Sequence, residues 1–448
     1  MPTEMMDVRE SEAALKQLVS DILAEAERQG ASAAEVSVNE DAGFSVTVRK
    51  GELETVEFNQ DRGFGITVYH GQRKGSASTS DSSAAAIKET VSAATNIARF
   101  TEEDPCSGLA EAQLMPVELP DLGLFHPWSL GTDEAEELAR QCEVAGLAQD
   151  ARIVNSDGAQ VSTQQSCRVY GNSHGFVGGF NGTRHSMSCV LIGEDENGMQ
   201  RDYWYTLARE PSKLESAQHV GSEAGRRTAA RLSPRGIATG RYPILFTPQM
   251  AAGFIGHLIG AISGGALYRK ASFLLDSLGE RVMSEHVTLR ERPLMHGWIG
   301  SAAFDGEGVA TREKHFVNAG VVENYVLGSY SARKLGMATT GNAGGVFNLQ
   351  VEGRTLTVDE LLGEMGQGLL VTDLMGQGVN SVTGDYSRGA SGFWVEDGAI
   401  AYPVDELTIA ANLRDVYCDI VALGDDVDER GNIRTPSILV GAMTVASQ

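Results

Sequence analysis

The chain has 448 residues, 42% of them hydrophobic and 21% charged, enough for two or three ordinary domains with cores of their own. A formal net charge of -24 repels phosphate backbones and anionic membranes, which argues against direct nucleic-acid binding and membrane-surface attachment. The five cysteines, Cys106, Cys142, Cys167, Cys189 and Cys418, are scattered and form no CxxC pair, as expected of reduced thiols in a cytoplasmic protein.

Met1–Glu12 carries acids and no apolar run, so no secretory signal is expected. No segment has the length of a spanning helix. Residues 12–29 predict an amphipathic helix, with Leu15, Leu18, Val19, Ile22, Leu23 and Ala26 on one face and Gly30 as its stop. From 34 to 79 the period changes to two: Val36 and Val38 alternate, then Phe44, Val46 and Val48, then Phe64, Ile66 and Val68. With turns at Arg49–Glu52 and His70–Arg73, these predict antiparallel strands. Ile87, Val91, Ala94 and Ala98 predict a helix over about 82–99.

A helix from near Thr132 follows, its first turn rich in acids that suit the positive helix end. Strands are expected at Ala151–Val154, Ser166–Tyr170, Phe176–Phe180 and Met187–Ile192. A helix over 213–231 follows, capped by the box Ser212–Glu215. Helix, strands, helix thus occurs twice, and a duplication relating 12–100 to 132–232 is expected within an N-terminal domain, 1–235.

Ser233–Gly236 reads as a boundary. Beyond it, over 236–448, the strand candidates are Tyr242–Phe246, Val282–Leu289, Val309–Phe316, Gly320–Leu327 and Asp415–Leu423. A helix over 248–263, begun by Thr247 and Pro248, and a short one near 358–364 interrupt them. The expected fold is α+β: N-terminal antiparallel sheet or sheets flanked by helices, then a β-rich, barrel-like domain.

No HExxH, P-loop or GxSxG motif is present; Gly389-Ala390-Ser391-Gly392 has the wrong spacing. The nine histidines are dispersed, and His286 and His296 are the nearest pair. The informative stretch runs from Phe246 through the helix to Arg269-Lys270. Here the chain resembles the TldD/PmbA family, peptidase family U62, and its PmbA/TldE-type branch. The resemblance extends to Phe304–Thr311, to the glycine-rich Gly378–Trp394, and to Tyr402–Leu407 and Ala411–Leu413.

The resemblance implies an HExxxH zinc helix in TldD-type chains, followed by an Arg-Lys pair. Alignment on Arg269-Lys270 puts the family's first histidine at Gly256, its general-base glutamate at His257 and its second histidine at Ala261. Slipped by one, His257 is followed by Leu258, and Ile262 takes the second position. The cysteine ligand near the TldD C-terminus has no counterpart in Gly431–Ser437. Catalytic zinc needs about three protein ligands and an open position. Glycine, alanine and isoleucine side chains offer no electron pair, so no metal site is expected in this chain.

What the resemblance implies is a subunit of a cytoplasmic metalloprotease acting on unfolded or extended peptides. Zinc and hydrolysis would belong to a TldD-type partner in a heterodimer, and a homodimer would form in its absence. Peptide-antibiotic maturation, antitoxin degradation and modulation of DNA gyrase are the roles attached to the family. Substrate-wall candidates are Arg269, Lys270, Asn380, Thr383, Asp385 and Ser387. Their plainer reading is loop shape and local charge balance. Two rival readings stand beside this one: a peptide- or protein-binding regulator without hydrolytic activity, and a hydrolase built on His286 and His296.

Overall fold

The computed structural model describes residues 8–447; the expectation for the first twelve residues falls mostly outside them. The N-terminal half contains α1 (Val8–Arg28), β1 (Ala33–Arg49), β2 (Glu52–His70), β3 (Arg73–Thr79) and α2 (Ala84–Phe100). After a long connection come α3 (Thr132–Leu147), β4 (Ile153–Asn172), β5 (Val177–Asp195), β6 (Gly198–Ala208) and α4 (Ala217–Ala230). All six strands form one antiparallel half-barrel sheet, in the order β3-β2-β1-β4-β5-β6.

The sheet has one apolar and one polar face because its strands alternate. Val36, Val38, Val46 and Val48 of β1 and Val161, Cys167 and Val169 of β4 are buried beneath the helices. Ser37, Asn39, Gln160 and Gln164 lie on the other face and are exposed. Beyond its pairing with β3, which begins at Phe64, β2 leaves Leu53, Val56 and Phe58 exposed. The sheet order is symmetric about the β1–β4 pair, and each side carries the sequence helix, three strands, helix. We propose that these units are the two copies of a duplicated segment; superposition strand for strand tests this.

The four strands expected between 151 and 192 are in fact two long ones, and β6 is not among the expected strands. Ser166–Tyr170 belongs to β4, while Phe176–Phe180 and Met187–Ile192 belong mostly to β5. The expected capping box is also corrected. Pro211–Lys213 forms a 3-10 turn, and Ser216 caps α4 by accepting from the His219 amide. Glu215 instead accepts from the Trp204 indole at 2.8 Å.

The C-terminal half begins with β7 (Gly240–Phe246), α5 (Pro248–Ala261), α6 (Gly264–Tyr268), β8 (Thr288–Glu291), β9 (Lys314–Asn318), β10 (Val321–Val322) and α7 (Ser329–Lys334). It continues with β11 (Leu349–Glu352), α8 (Val358–Met365), β12 (Gly368–Met375), β13 (Asp385–Glu396) and β14 (Ala399–Asn412). It ends with α9 (Leu413–Cys418), β15 (Ile420–Leu423), β16 (Ile433–Arg434) and β17 (Ile438–Ser447). Strands β14, β13, β12, β7 and β17 close into a five-stranded barrel, because β17 also pairs with β14 from Leu407–Ser447 to Ala410–Thr444. A second sheet has the order β10-β9-β8-β11-β16.

Three expected strands shrink here. Val282–Leu289 contributes only its end to β8, Val309–Phe316 only its end to β9, and Gly320–Leu327 only the two residues of β10. Val282, Met283 and Val287 are buried in loops, which imitates a strand in composition. Asp415–Leu423 is a helix before it is a strand: Asn412 caps α9 by accepting from the Arg414 amide, and Cys418 ends that helix.

The halves are stapled together. Asp104, in the connection between α2 and α3, accepts from Tyr330 at 2.7 Å and pairs with Lys334. The Arg333 guanidinium bonds the carbonyls of Gly108 and Leu109. Arg430 lies against Trp204 and Tyr205 and donates to the Tyr205 carbonyl at 2.6 Å.

Candidate functional site

Helix α5 starts where the sequence dictates, with Pro248 in its first turn after Thr247. One face is core: Ala251, Phe254, Ile255 and Leu258 are buried. Phe254 stacks on Phe246 at 5.1 Å and meets Tyr417 at 4.7 Å, and the Tyr417 hydroxyl donates to the Phe254 carbonyl. The other face is nearly bare. A Cβ at Gly253 or Gly260 would meet nothing within 4 Å, and one at Gly256 would only graze Ile433 at 4.0 Å. Packing therefore does not require glycine at these positions; the face has room for side chains it lacks.

That bare face borders a cavity of about 290 Å³. Gly256, His257, Gly260 and Ala261 form one side, and Ala266, Arg269, Ala271, Phe273, Val379 and Ser381 the rest. His257 is the single imidazole there. Its ring meets Tyr386 edge-on at 6.0 Å, and its buried Nε2 has no hydrogen-bond partner. Burial, reinforced by the Arg388 charge, lowers its pKa, which favours the neutral ring. Burial pushes the Tyr386 phenol up to about 12, against the pull of Arg388. The Tyr386 hydroxyl and Arg388 Nε are likewise buried without a partner of good geometry.

Arg269 is the one charged residue lining the cavity; Arg388 and Arg414 lie outside its lining. Arg269 lies over the Tyr268 ring and donates to its hydroxyl at 3.2 Å. Arg388 donates to the Leu374 carbonyl and Arg414 to that of Phe273. Neither they nor Lys270 has a carboxylate within ion-pair distance among the described residues. Lys270 is exposed in a left-handed conformation (φ 56°) and does not line the cavity.

Three of the four polar candidates on the glycine-rich segment shape the turn between β12 and β13. The Asn380 side chain accepts from the Val382 and Thr383 amides, and Thr383 donates to Asp385 at 2.6 Å. Asn412 binds the other Asp385 oxygen at 3.2 Å. Ser387 is exposed, with its amide donating to Gly378 at 2.7 Å. Glycine is required at 378, where a Cβ would lie 1.8 Å from the Ser387 carbonyl oxygen. Backbone and cavity are joined through this turn, since the Ser381 carbonyl accepts from the Phe273 amide. Sequence reasoning did not single out Phe273, Val379, Ser381, Tyr386 or Arg388; the only signal was the position of the last four within the glycine-rich segment Gly378–Trp394.

Asp305 and Glu307 bind backbone. Asp305 accepts from the amides of Glu307, Val309 and Ala343, and burial still raises its pKa to about 6. Glu307 accepts from the Ser329 amide. His286 is engaged at both nitrogens, by the Ile420 carbonyl and the Arg354 amide. His296 instead packs against Gly123 and borders a larger cavity of about 680 Å³ with His126. The two histidines thus belong to different environments.

Zinc does not fit these side chains. The α5 face presents one imidazole with no carboxylate or thiol beside it, and no group of three or more metal-binding side chains converges among the described residues.

A half-barrel sheet joined to a closed five-stranded barrel defines a TldD/TldE-like fold. Models of the PmbA/TldA metallopeptidase domain 1, central domain and C-terminal domain match residues 34–98, 125–232 and 239–447. The chain belongs to the PmbA/TldD metallopeptidase family. It is 47% identical to metalloprotease PmbA of Escherichia coli O157:H7, over 93% of this chain and 92% of that one. It is also 47% identical to the PmbA homolog of Haemophilus influenzae, over 99% and 98%. A Bacteroides thetaiotaomicron crystal structure, of a candidate modulator of DNA gyrase, superposes with a TM-score of 0.91 at 27% identity, covering 97% of this chain and 99% of that one. TldE from Thermococcus kodakarensis shares the fold, with a TM-score of 0.79 at 20% identity, over 96% and 100%. No helix among the described residues is long and apolar enough to cross a membrane.

Proposed function

We propose that this chain is the PmbA/TldE-type, non-metal-binding subunit of a cytoplasmic two-chain metalloprotease acting on unfolded or extended peptides. One observation supports the reading: the α5 face that borders the cavity carries Gly256 and His257, no carboxylate beside them, and room for a side chain at Gly256. Aligned with the family's motif, Gly256, His257 and Ala261 take the positions of its two histidines and its glutamate. A TldD-type partner supplies the zinc and the hydrolytic step; this chain supplies a wall of the enclosed space and contacts to the peptide. Arg269, Asn380, Thr383, Asp385 and Ser387 are its proposed substrate-facing residues, with Lys270 at the rim.

Reconstitution tests this. The chain is mixed with the TldD-type protein of the same organism, and complex formation, zinc per subunit and cleavage of an unfolded peptide are measured. Zinc should reside in the partner and cleavage should require both chains. About one equivalent of zinc on the lone chain, lost with His257→Ala, overturns the assignment. A lone chain that binds peptides, with no complex and no added activity in the mixture, identifies the binding-regulator alternative.

A further inference from the structure

The α5 cavity combines three features that its structural role leaves unexplained. Its lining cation, Arg269, has no acidic partner among the described residues of a protein of net charge -24. Asp385, on the neighbouring turn, is occupied by Thr383 and Asn412. The buried His257 Nε2 has no partner, and neither has the Tyr386 hydroxyl behind it, 2% exposed overall. Unmade bonds of this kind are rare in native structures, and a ligand that makes them is one explanation for their presence.

The walls narrow the ligand class. Phe273, Val379 and Ala261 are apolar, and the volume of about 290 Å³ is at the small end for ligand pockets. A planar oxyanion attached to one modest side chain fits both the charge and the walls. Arg269 has the fork geometry to take such a group. A neutral imidazole supplies a further N–H donor.

We propose that this cavity binds the C-terminal carboxylate of a peptide, held by Arg269 and His257, with the last side chain against Phe273 and Val379. The site rests on the peptide-handling reading above and specifies which end of the peptide this subunit grips. It places the carboxylate on the face where a zinc-binding chain would carry its ligands.

The test uses the isolated full chain and isothermal titration with N-acetylated alanine-alanine-leucine, as free acid and as C-terminal amide. The free acid is expected to bind and the amide to bind at least about tenfold more weakly, the equivalent of one charge-assisted contact. Arg269→Met should lose about the same factor, while Arg269→Lys, which keeps the charge, should lose less. Circular dichroism and urea midpoints verify that each variant is folded. Equal affinity for acid and amide, undiminished binding by folded Arg269→Met, or binding of inorganic phosphate with none of the peptide each overturn the proposal. Because the titration needs no partner, its failure is separable from failure of the reconstitution.

Discussion

The imidazole of His257 meets the ring of Tyr386 edge-on, 73° between planes, and each carries a buried polar atom with no hydrogen-bond partner of good geometry among the described residues. The pair therefore weakens the fold it sits in. Replacing a buried, unbonded hydroxyl by hydrogen removes a desolvation cost and leaves the packing intact. Tyr386→Phe is accordingly expected to leave the unfolding free energy from urea titration unchanged or raise it by up to about 1 kcal/mol. A loss of more than that amount would show that the hydroxyl has a partner.

His185 gives the stability an acid-side dependence. It is fully buried; its Nε2 lies 2.9 Å from the His126 carbonyl and its Nδ1 2.8 Å from the Thr163 hydroxyl. The carbonyl requires Nε2–H, and with the ring neutral, as its burial favours, Nδ1 accepts from the Thr163 hydroxyl. Burial lowers its pKa below the usual 6.5. The unfolded chain then takes up the proton first, so this contribution is intact above about pH 6.5 and is lost as the pH falls below that value. His185→Gln should lose some stability at pH 7.5 and fall less steeply between pH 7.5 and 5.5. Parallel declines in variant and parent would assign the dependence to other groups.

The crossing of α3 and α4 tolerates no side chain at Gly221, where a Cβ would lie 1.9 Å from the Cys142 carbonyl oxygen. Neither helix backbone can retreat without uncovering Ala139, Val220 and Ala224. Gly221→Ala is expected to cost about 1–3 kcal/mol, despite the better helix propensity of alanine. Denaturant unfolding reads this directly; a neutral or stabilising result would mean that the helices lie further apart.

Glu291 and Lys314 are a buried pair at 2.5 Å, with Asn342 and the Phe347 amide also on the carboxylate. Burial raises the pKa of Glu291 and lowers that of Lys314, so each pays for desolvation and depends on the other. Lys314→Met should destabilise by about 3–5 kcal/mol, because it strands the carboxylate. Adding Glu291→Gln should restore part of the loss. A double variant no more stable than the single one would contradict this coupling.

Much of the N-terminal half is legible in its residues. Leu15, Val19, Ile22 and Ala26 are buried under α1 as their spacing requires, and Gly30 turns the chain at φ 87°. Legibility fails where a buried face carries polar groups. Thr163 and Gln165 interrupt the apolar alternation of β4, so one strand reads as fragments. It fails again where capping competes: Ser212 and Ser216 both precede α4, and only the geometry of the 3-10 turn selects the second. The cavity was half legible. His257 and Arg269 stand out on their own segment, but Phe273, Val379 and Tyr386 join them through tertiary pairing that no local period encodes.

Strand β7 is the first of the barrel to be synthesised, yet both its neighbours, β12 and β17, come from far downstream. Until they arrive, Ile244, Leu245 and Phe246 have no sheet to join. A nascent C-terminal half therefore holds an apolar strand and the adjoining helix α5 in waiting, and such non-local closure is slow. A circular permutant that brings β17 ahead of β7 should therefore refold faster than the natural arrangement, as stopped-flow refolding would read.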